Sequence, residues 1–251
     1  MRVVSSATMR QWRRVGASLD APTGVHRPSI FSAFIAAAIA GDHDDQGRSS
    51  DVEGRVVIDA GCGAGLVTIA ALRSGASHVI AQDRDPAALH ATAANVRAAG
   101  GGRFGDRVEF AEGDWTKLGE LRGDLVVVNP PQRPSRLIAA TPTGERHLHD
   151  TAGEDGADAL RIVLGHADSD GVVSTMSSLL DLDPSTIGGS RYASDGAVAR
   201  AQLEHSEAWS ALGVERVAWV DAQRWSRRRR EDTDQDPAST DPPKPTGSLT
   251  A

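Results

Sequence analysis

Cysteine is almost missing from this 251-residue sequence: Cys62 stands alone. One thiol closes no intrachain disulfide and assembles no multi-cysteine zinc site, so a reducing, cytoplasmic setting is expected. Aromatic side chains make up only 4% of the residues, which argues against a large aromatic-lined ligand cage. Long apolar runs are absent too. The longest, Ile30 to Ala40, is eleven residues interrupted by Ser32, whereas a bilayer span needs roughly 20; it reads as a buried helix, and no membrane partner is expected. Met1 to Gly16 carries Arg2, Arg10, Arg13 and Arg14 but no apolar core of signal-peptide length. Positive charge is in deficit: a formal net charge of -7 gives no general attraction to phosphate backbones and disfavours bulk nucleic acid.

What is abundant points to a globular α/β protein. A hydrophobic fraction of 39% with 26 glycines fits a single domain with a substantial core. Residues 1–50 read as an N-terminal helical segment followed by an exposed acidic linker, Gly41 to Gly54, rich in turn formers. Residues 51–226 form the expected domain, and residues 227–251, with no apolar periodicity, an expected disordered tail.

Within the domain, short β-branched runs alternate with helical stretches, the pattern of a mostly parallel sheet with helices on both faces. Strands are predicted at Arg55 to Ile58, His78 to Gln82, Val108 to Ala111, Leu125 to Val128, Gly171 to Ser177 and Val214 to Asp221. Helices are predicted at Leu66 to Ser74, Pro86 to Ala99, Asp158 to Ala167 and Ala197 to Leu212.

The chemistry collects at predicted strand ends. VVIDAGCGAGLVTIA, Val56 to Ala70, sets Gly61, Gly63 and Gly65 between a strand and a helix. Glycines there permit a tight turn and bring backbone N–H groups close to a ligand at the positive end of the helix. Asp83 ends the next strand, where a carboxylate can accept hydrogen bonds from both ribose hydroxyls of a nucleoside cofactor. A nicotinamide dinucleotide and S-adenosylmethionine are both compatible so far. Asp59 within the glycine motif and Asp114 after the third strand tilt the balance, because carboxylates repel a pyrophosphate and attract an ammonium, a sulfonium and an adenine amino group.

The DAGCGAG turn, the Asp83 strand end, the Gly113-Asp114 pair and Asn129-Pro130-Pro131-Gln132 together resemble class I S-adenosylmethionine-dependent methyltransferases of the Asn-Pro-Pro branch. Gly24 to Ile39 and Gly153 to Val163 resemble the HemK-type subgroup, in its proline-containing approach to the cofactor and its Gly-x-Asp-Gly helix start. The resemblance implies a Rossmann-like fold with a seven-stranded, mostly parallel sheet and S-adenosyl-L-methionine as cofactor. It implies that Asp59, Gly61, Gly63 and Gly65 hold the methionine end, Asp83 the ribose and Asp114 the adenine amino group, with Trp115 as a stacking wall. Asn129, through its side chain, and Pro130, through its carbonyl, would then accept hydrogen bonds from the acceptor nitrogen.

That division of labour is physically sound, since displacement at a sulfonium methyl chiefly requires a nitrogen lone pair held on axis and within reach. Two fixed acceptors bind the N–H hydrogens and stabilise the positive charge developing on nitrogen. Where the family places Tyr or Phe after the prolines, this chain has Gln132, and a stacking platform worth roughly 1 to 3 kcal/mol is lost. With only about 23 residues ahead of the Gly24 motif, the expected acceptor is a small amine, guanidine or amino-acid-like metabolite hydrogen-bonded by Gln132. The alternative is a protein glutamine or an RNA base. No metal is expected; the ligand-type run His147 to Asp150 reads as solvated side chains. Cys62 reads as a small packing residue, and Arg133, Arg136 and Arg146 either recognise a carboxylate on the acceptor or form a solvated loop.

Overall fold

The computed structural model describes residues 1–41, 50–135, 152–203 and 218–229. Among the described residues eight strands form one sheet in the order β1-β7-β8-β6-β5-β2-β3-β4, one more than the seven expected. The addition is β1 (Arg2–Val3), which pairs in parallel with β7 (Tyr192–Gln202). Parallel pairing links β2 (Val56–Ala60), β3 (His78–Asp83), β4 (Val108–Glu112), β5 (Leu125–Val128) and β6 (Gly171–Ser177). Only β8 (Trp219–Arg227) runs antiparallel to its neighbours, β6 and β7.

Register sorts the apolar side chains into two cores, because successive residues of a strand face opposite ways. Val57, Val79, Leu125, Val127 and Val173 meet α2 (Ile30–Ala40) and α3 (Leu66–Arg73) on one face. Ile58, Ile80, Val126, Val128 and Val172 meet α5 (Asp158–His166) on the other. The helix α2 is apolar all round, and Phe34 and Ile35 are fully buried, as an interior helix should be. It starts at a reciprocal Ser29–Ser32 capping box, which satisfies two N–H groups that a helix start otherwise leaves unpaired. Two further helices lie among the described residues: α1 (Ser6–Ala17), capped by Ser5, and α4 (Pro86–Gly100), capped by Asp85 with Pro in its first turn.

The helix predicted from Ala197 to Leu212 is corrected at its start: residues 197–202 belong to β7, and residues 204–217 lie outside the described residues. Alanine favours a helix locally, but packing overrides that preference. Ala199 and Ala201 point into the core while Arg200 between them pairs with Asp221 of β8 at 2.5 Å. The last strand likewise begins later than predicted, at Trp219. Most of the acidic linker, the His147 to Asp150 run and residues 230–251 lie outside the described residues. No helix among the described residues is long and apolar enough to cross a membrane.

The connections run from β2 outward through β3 to β4, then return to β5 on the other side of β2. A reversal of this kind leaves a crevice at the carboxyl ends of the two central strands. Ala60 of β2 lies opposite Val128 of β5, so the glycine turn and Asn129 emerge side by side.

Candidate active site

The turn after β2 is held by the backbone. Gly61 and Cys62 both donate their N–H to the carbonyl of Gln82, at 2.8 and 2.9 Å. Gly61, Gly63 and Gly65 have φ of 81°, 54° and 87°, in the left-handed region that costs other residues about 1 kcal/mol or more. Space is as strict as torsion at Gly65, where a Cβ would lie 2.9 Å from Cγ2 of Thr92. Thr92 itself donates to the Gly63 carbonyl at 2.9 Å, and Asn95 ties Ala64 to Asp20 with bonds of 3.0 and 2.8 Å. Neither residue was singled out in the sequence; both are polar positions on the buried side of α4, which is the signal they carry.

Asp83 at the end of β3 accepts from Gly63 N–H on one oxygen and from Asp85 N–H on the other, each at 3.0 Å. Each oxygen keeps acceptor capacity, as a ribose site requires. Trp115 is half-buried with its indole against the turn: a Cβ on Gly61 would meet its Cζ2 at 3.3 Å. Asp114, exposed, caps the short helix Trp115–Glu120 by accepting from Thr116 N–H at 2.9 Å. The Thr116 hydroxyl bonded to it holds the Asp114 carboxyl below the usual carboxylate range.

Asp59 is 2% exposed and accepts from the Thr68 hydroxyl at 2.6 Å. Burial pushes its pKa up to about 7 against the lowering effect of Thr68, because a carboxylate in a dry interior loses hydration that one hydroxyl does not replace. Burial, with Asp59 nearby, also pushes the Cys62 thiol well above its ordinary range, which keeps it inert. His26 is lowered by burial and by Arg133, and its carbonyl would lie 3.6 Å from a Cβ on Gly63. The stretch from Gly24 therefore passes over the turn.

These residues fit an S-adenosylmethionine molecule. Gly61 leaves a space beside Trp115 that a side chain would narrow, and Asp59 is a buried carboxylate that a cationic group would stabilise. Gln82 bonds the Gly113 carbonyl through Nε2 and leaves Oε1 buried with no hydrogen-bond partner among the described residues, next to the residue expected to meet the adenine amino group. An arriving N–H would satisfy it.

The acceptor end is organised by side chains. Asn129 extends β5 one step beyond the Val128–Ser174 pair, and its amide is held at both ends. Oδ1 accepts from the Thr175 hydroxyl at 2.8 Å, and Nδ2 donates to Ser32 Oγ at 3.1 Å. Pro130 behind it is buried. Gln132 turns inward: Nε2 donates to Thr175 Oγ1 at 2.7 Å and Oε1 accepts from Ser177 N–H at 2.8 Å. The structure thus gives the Gln132 amide to β6. Ser32 and Thr175 were missed in the sequence, though Ser174, Thr175 and Ser177, three buried hydroxyls in a central strand, are a legible anomaly. Beyond Gln132, whose carbonyl lies near Gly156, opens a cleft of about 540 Å³ lined by Glu154, Asp155, Asp158, Arg161 and Leu180. Arg161 bonds Asp155 at 2.5 Å and Asp158 at 3.0 Å. Arg136 and Arg146 lie outside the described residues.

The sheet order, with the glycine turn and the acidic strand ends at its crevice, is that of a Rossmann-like methyltransferase fold. Comparison with known proteins gives the particular likeness. Residues 47–130 match the family model of ribosomal protein L11 methyltransferase (PrmA), a segment that includes Asn129 and Pro130 but stops before Gln132. The L11 methyltransferase of Actinobacillus succinogenes is 40% identical over 79 residues, 32% of this chain and 26% of that protein. That of Yersinia pseudotuberculosis is 38% identical over 104 residues, 40% of this chain and 34% of its own. The chain therefore spans about a third or less of the curated relatives it matches. In three dimensions it is similar to a candidate RNA methyltransferase from Pyrococcus horikoshii, with a TM-score of 0.56 at 19% identity, covering 88% of this chain and 97% of that one. A Thermoplasma acidophilum protein follows at 0.51 and 16% identity, over 89% and 98%. At these identities the structural neighbours speak for the fold.

Proposed function

We propose that this chain transfers a methyl group from S-adenosylmethionine to a nitrogen of a macromolecular acceptor, a protein in the first instance. The observation that carries the reading is the adjacency of the glycine turn and Asn129 at the ends of β2 and β5. The cofactor supplies an electrophilic methyl on a sulfonium. The chain supplies everything else. Asp83 binds ribose, Trp115 covers the adenosine, Asp59 faces the cationic methionine end, and the glycine turn admits them. Asn129 Oδ1, with one lone pair engaged by Thr175, offers the other to an acceptor N–H; the Pro130 carbonyl offers a second. Together they fix the nitrogen and stabilise its developing charge.

The relatives, which are named for a ribosomal protein, support a macromolecular acceptor, so the small metabolite expected from the sequence gives way to the macromolecular alternative. Charge favours protein over RNA: three carboxylates against one guanidinium line the cleft past Gln132, within a chain of net charge -7, and phosphates are repelled where a basic peptide is drawn in. Methyl-labelled cofactor incubated with purified ribosomal protein L11, total RNA and a low-mass extract fraction tests this. Label in the protein supports the reading, whereas label confined to RNA or to small molecules overturns it.

A further inference from the structure

The side chains behind Asn129 form a directed series whose polarity is set by one backbone group. Ser177 N–H can only donate, so the Gln132 atom it meets at 2.8 Å is the amide oxygen. Nε2 of Gln132 is then the atom 2.7 Å from Thr175 Oγ1, and it too can only donate. With Oγ1 accepting from Gln132, the Thr175 hydroxyl hydrogen is sent to Asn129 Oδ1, 2.8 Å away. Asn129 Nδ2 in turn donates to Ser32 Oγ, which also accepts from Ser29 N–H at 3.1 Å. Its own hydrogen is left for Ser29 Oγ, 3.3 Å away. The series from Ser177 on β6 to Ser29 at the start of α2 thus runs in one consistent direction, and Thr175 is wholly buried.

We infer that Gln132 and Thr175 are positioning residues: they act through Asn129, fixing its amide so that Oδ1, and not Nδ2, is the atom held for the acceptor nitrogen. A flipped Asn129 would present N–H hydrogens to N–H hydrogens and turn the lone pair away from the methyl. Gln132 stands where the related motif carries an aromatic ring, and here it does a different job from stacking. The kinetic consequence rests on the methyl-transfer reading; the orientation of the Asn129 amide does not.

Three substitutions separate this role from bulk packing. Thr175→Val keeps the shape and deletes the donor to Asn129. Gln132→Glu, at pH 8, gives a carboxylate that accepts from Ser177 N–H and from the Thr175 hydroxyl, so the hydroxyl turns away from Asn129 although Thr175 is intact. Gln132→Met removes one donor but leaves Thr175 free to donate to Asn129. Methyl transfer to ribosomal protein L11 is expected to fall in kcat about tenfold or more for Thr175→Val and Gln132→Glu, and less for Gln132→Met. Adenosylhomocysteine affinity should stay near wild type throughout, and Thr175→Ser should recover the rate. Nuclear magnetic resonance of the full chain gives a readout independent of turnover: the Asn129 side-chain amide signals should move in Thr175→Val and Gln132→Glu and hold in Thr175→Ser. Equal effects of Gln132→Glu and Gln132→Met, or Asn129 signals indifferent to Thr175→Val, overturn the inference. If wild type binds adenosylhomocysteine yet methylates no L11, the acceptor reading falls while the resonance measurement still decides the relay.

Discussion

At the end of β2 the chain holds its turn with main-chain groups, Gly61 and Cys62 on the Gln82 carbonyl and three glycines at positive φ; at the end of β5, next door in the sheet, the work passes to side chains on Ser32, Asn129, Gln132 and Thr175. The cradle is braced by the side chains of Asp83, Thr92 and Asn95, but its shape is set by backbone torsion and excludes a Cβ at Gly65. A side-chain relay is tolerant of backbone detail and depends on each polar atom. The first suits a cofactor shared by a whole class, and the second suits an acceptor that varies. The matched family segment ends at Pro130, inside the acceptor end and ahead of Gln132 and Thr175.

The largest effect should come from the acceptor end. Asn129→Ala removes the acceptor proposed for the reacting nitrogen, and kcat for methyl transfer is expected to fall about 10²- to 10³-fold with adenosylhomocysteine affinity held near wild type in calorimetry. A parallel loss of affinity would mean that the two ends are not separable. Gly65→Ala attacks the cradle: strain at φ 87° plus a 2.9 Å approach to Thr92 should destabilise the fold by about 2 to 4 kcal/mol in urea titration and abolish cofactor binding. A fully stable, binding-competent Gly65→Ala would refute the claim that backbone torsion sets this end.

Asp59 offers a finer test. In the folded chain its pKa is about 7 against an ordinary 3.8, so the folded state holds the proton more tightly than the unfolded one. The stability this contributes is complete below about pH 3.8 and is lost as pH rises through about 7. Between pH 5.5 and 8 the cofactor-free wild type should lose about 2 kcal/mol relative to Asp59→Asn. Cofactor affinity should run the other way, rising with pH as the carboxylate forms beside the cationic methionine end, and Asp59→Asn should flatten that rise. The smallest effect is expected for Trp115→Ala, about 1 kcal/mol of adenosylhomocysteine affinity from lost stacking, read by calorimetry with the fold intact.

The same contrast explains what could be read in the sequence. Glycine at Gly61, Gly63 and Gly65 reports a torsional need that is local, and Asp83 ends a short buried strand, so the expected cofactor end was legible from a short window. Ser32 and Thr175 sit 97 and 46 residues from Asn129, and no local pattern announces that they meet it. Gln132 was noticed as a departure, but its partners on β6 were not foreseeable without the register that brings Ser174 opposite Val128. The misread stretch after Tyr192 has the same origin: alanines at 197, 199 and 201 favour a helix until β8 is present to pair with them. The N-terminal residues Arg2 and Val3 carry too little pattern to be seen as a strand, and only the edge of β7 makes them one.

The account turns on the identity of the molecule in the cradle. Calorimetry of the full chain at pH 8 against adenosylhomocysteine and against a nicotinamide dinucleotide tests it most directly. One equivalent of adenosylhomocysteine bound by wild type, none by Gly65→Ala, and no heat with the dinucleotide is the result expected here. Binding of the dinucleotide with none of adenosylhomocysteine would contradict it.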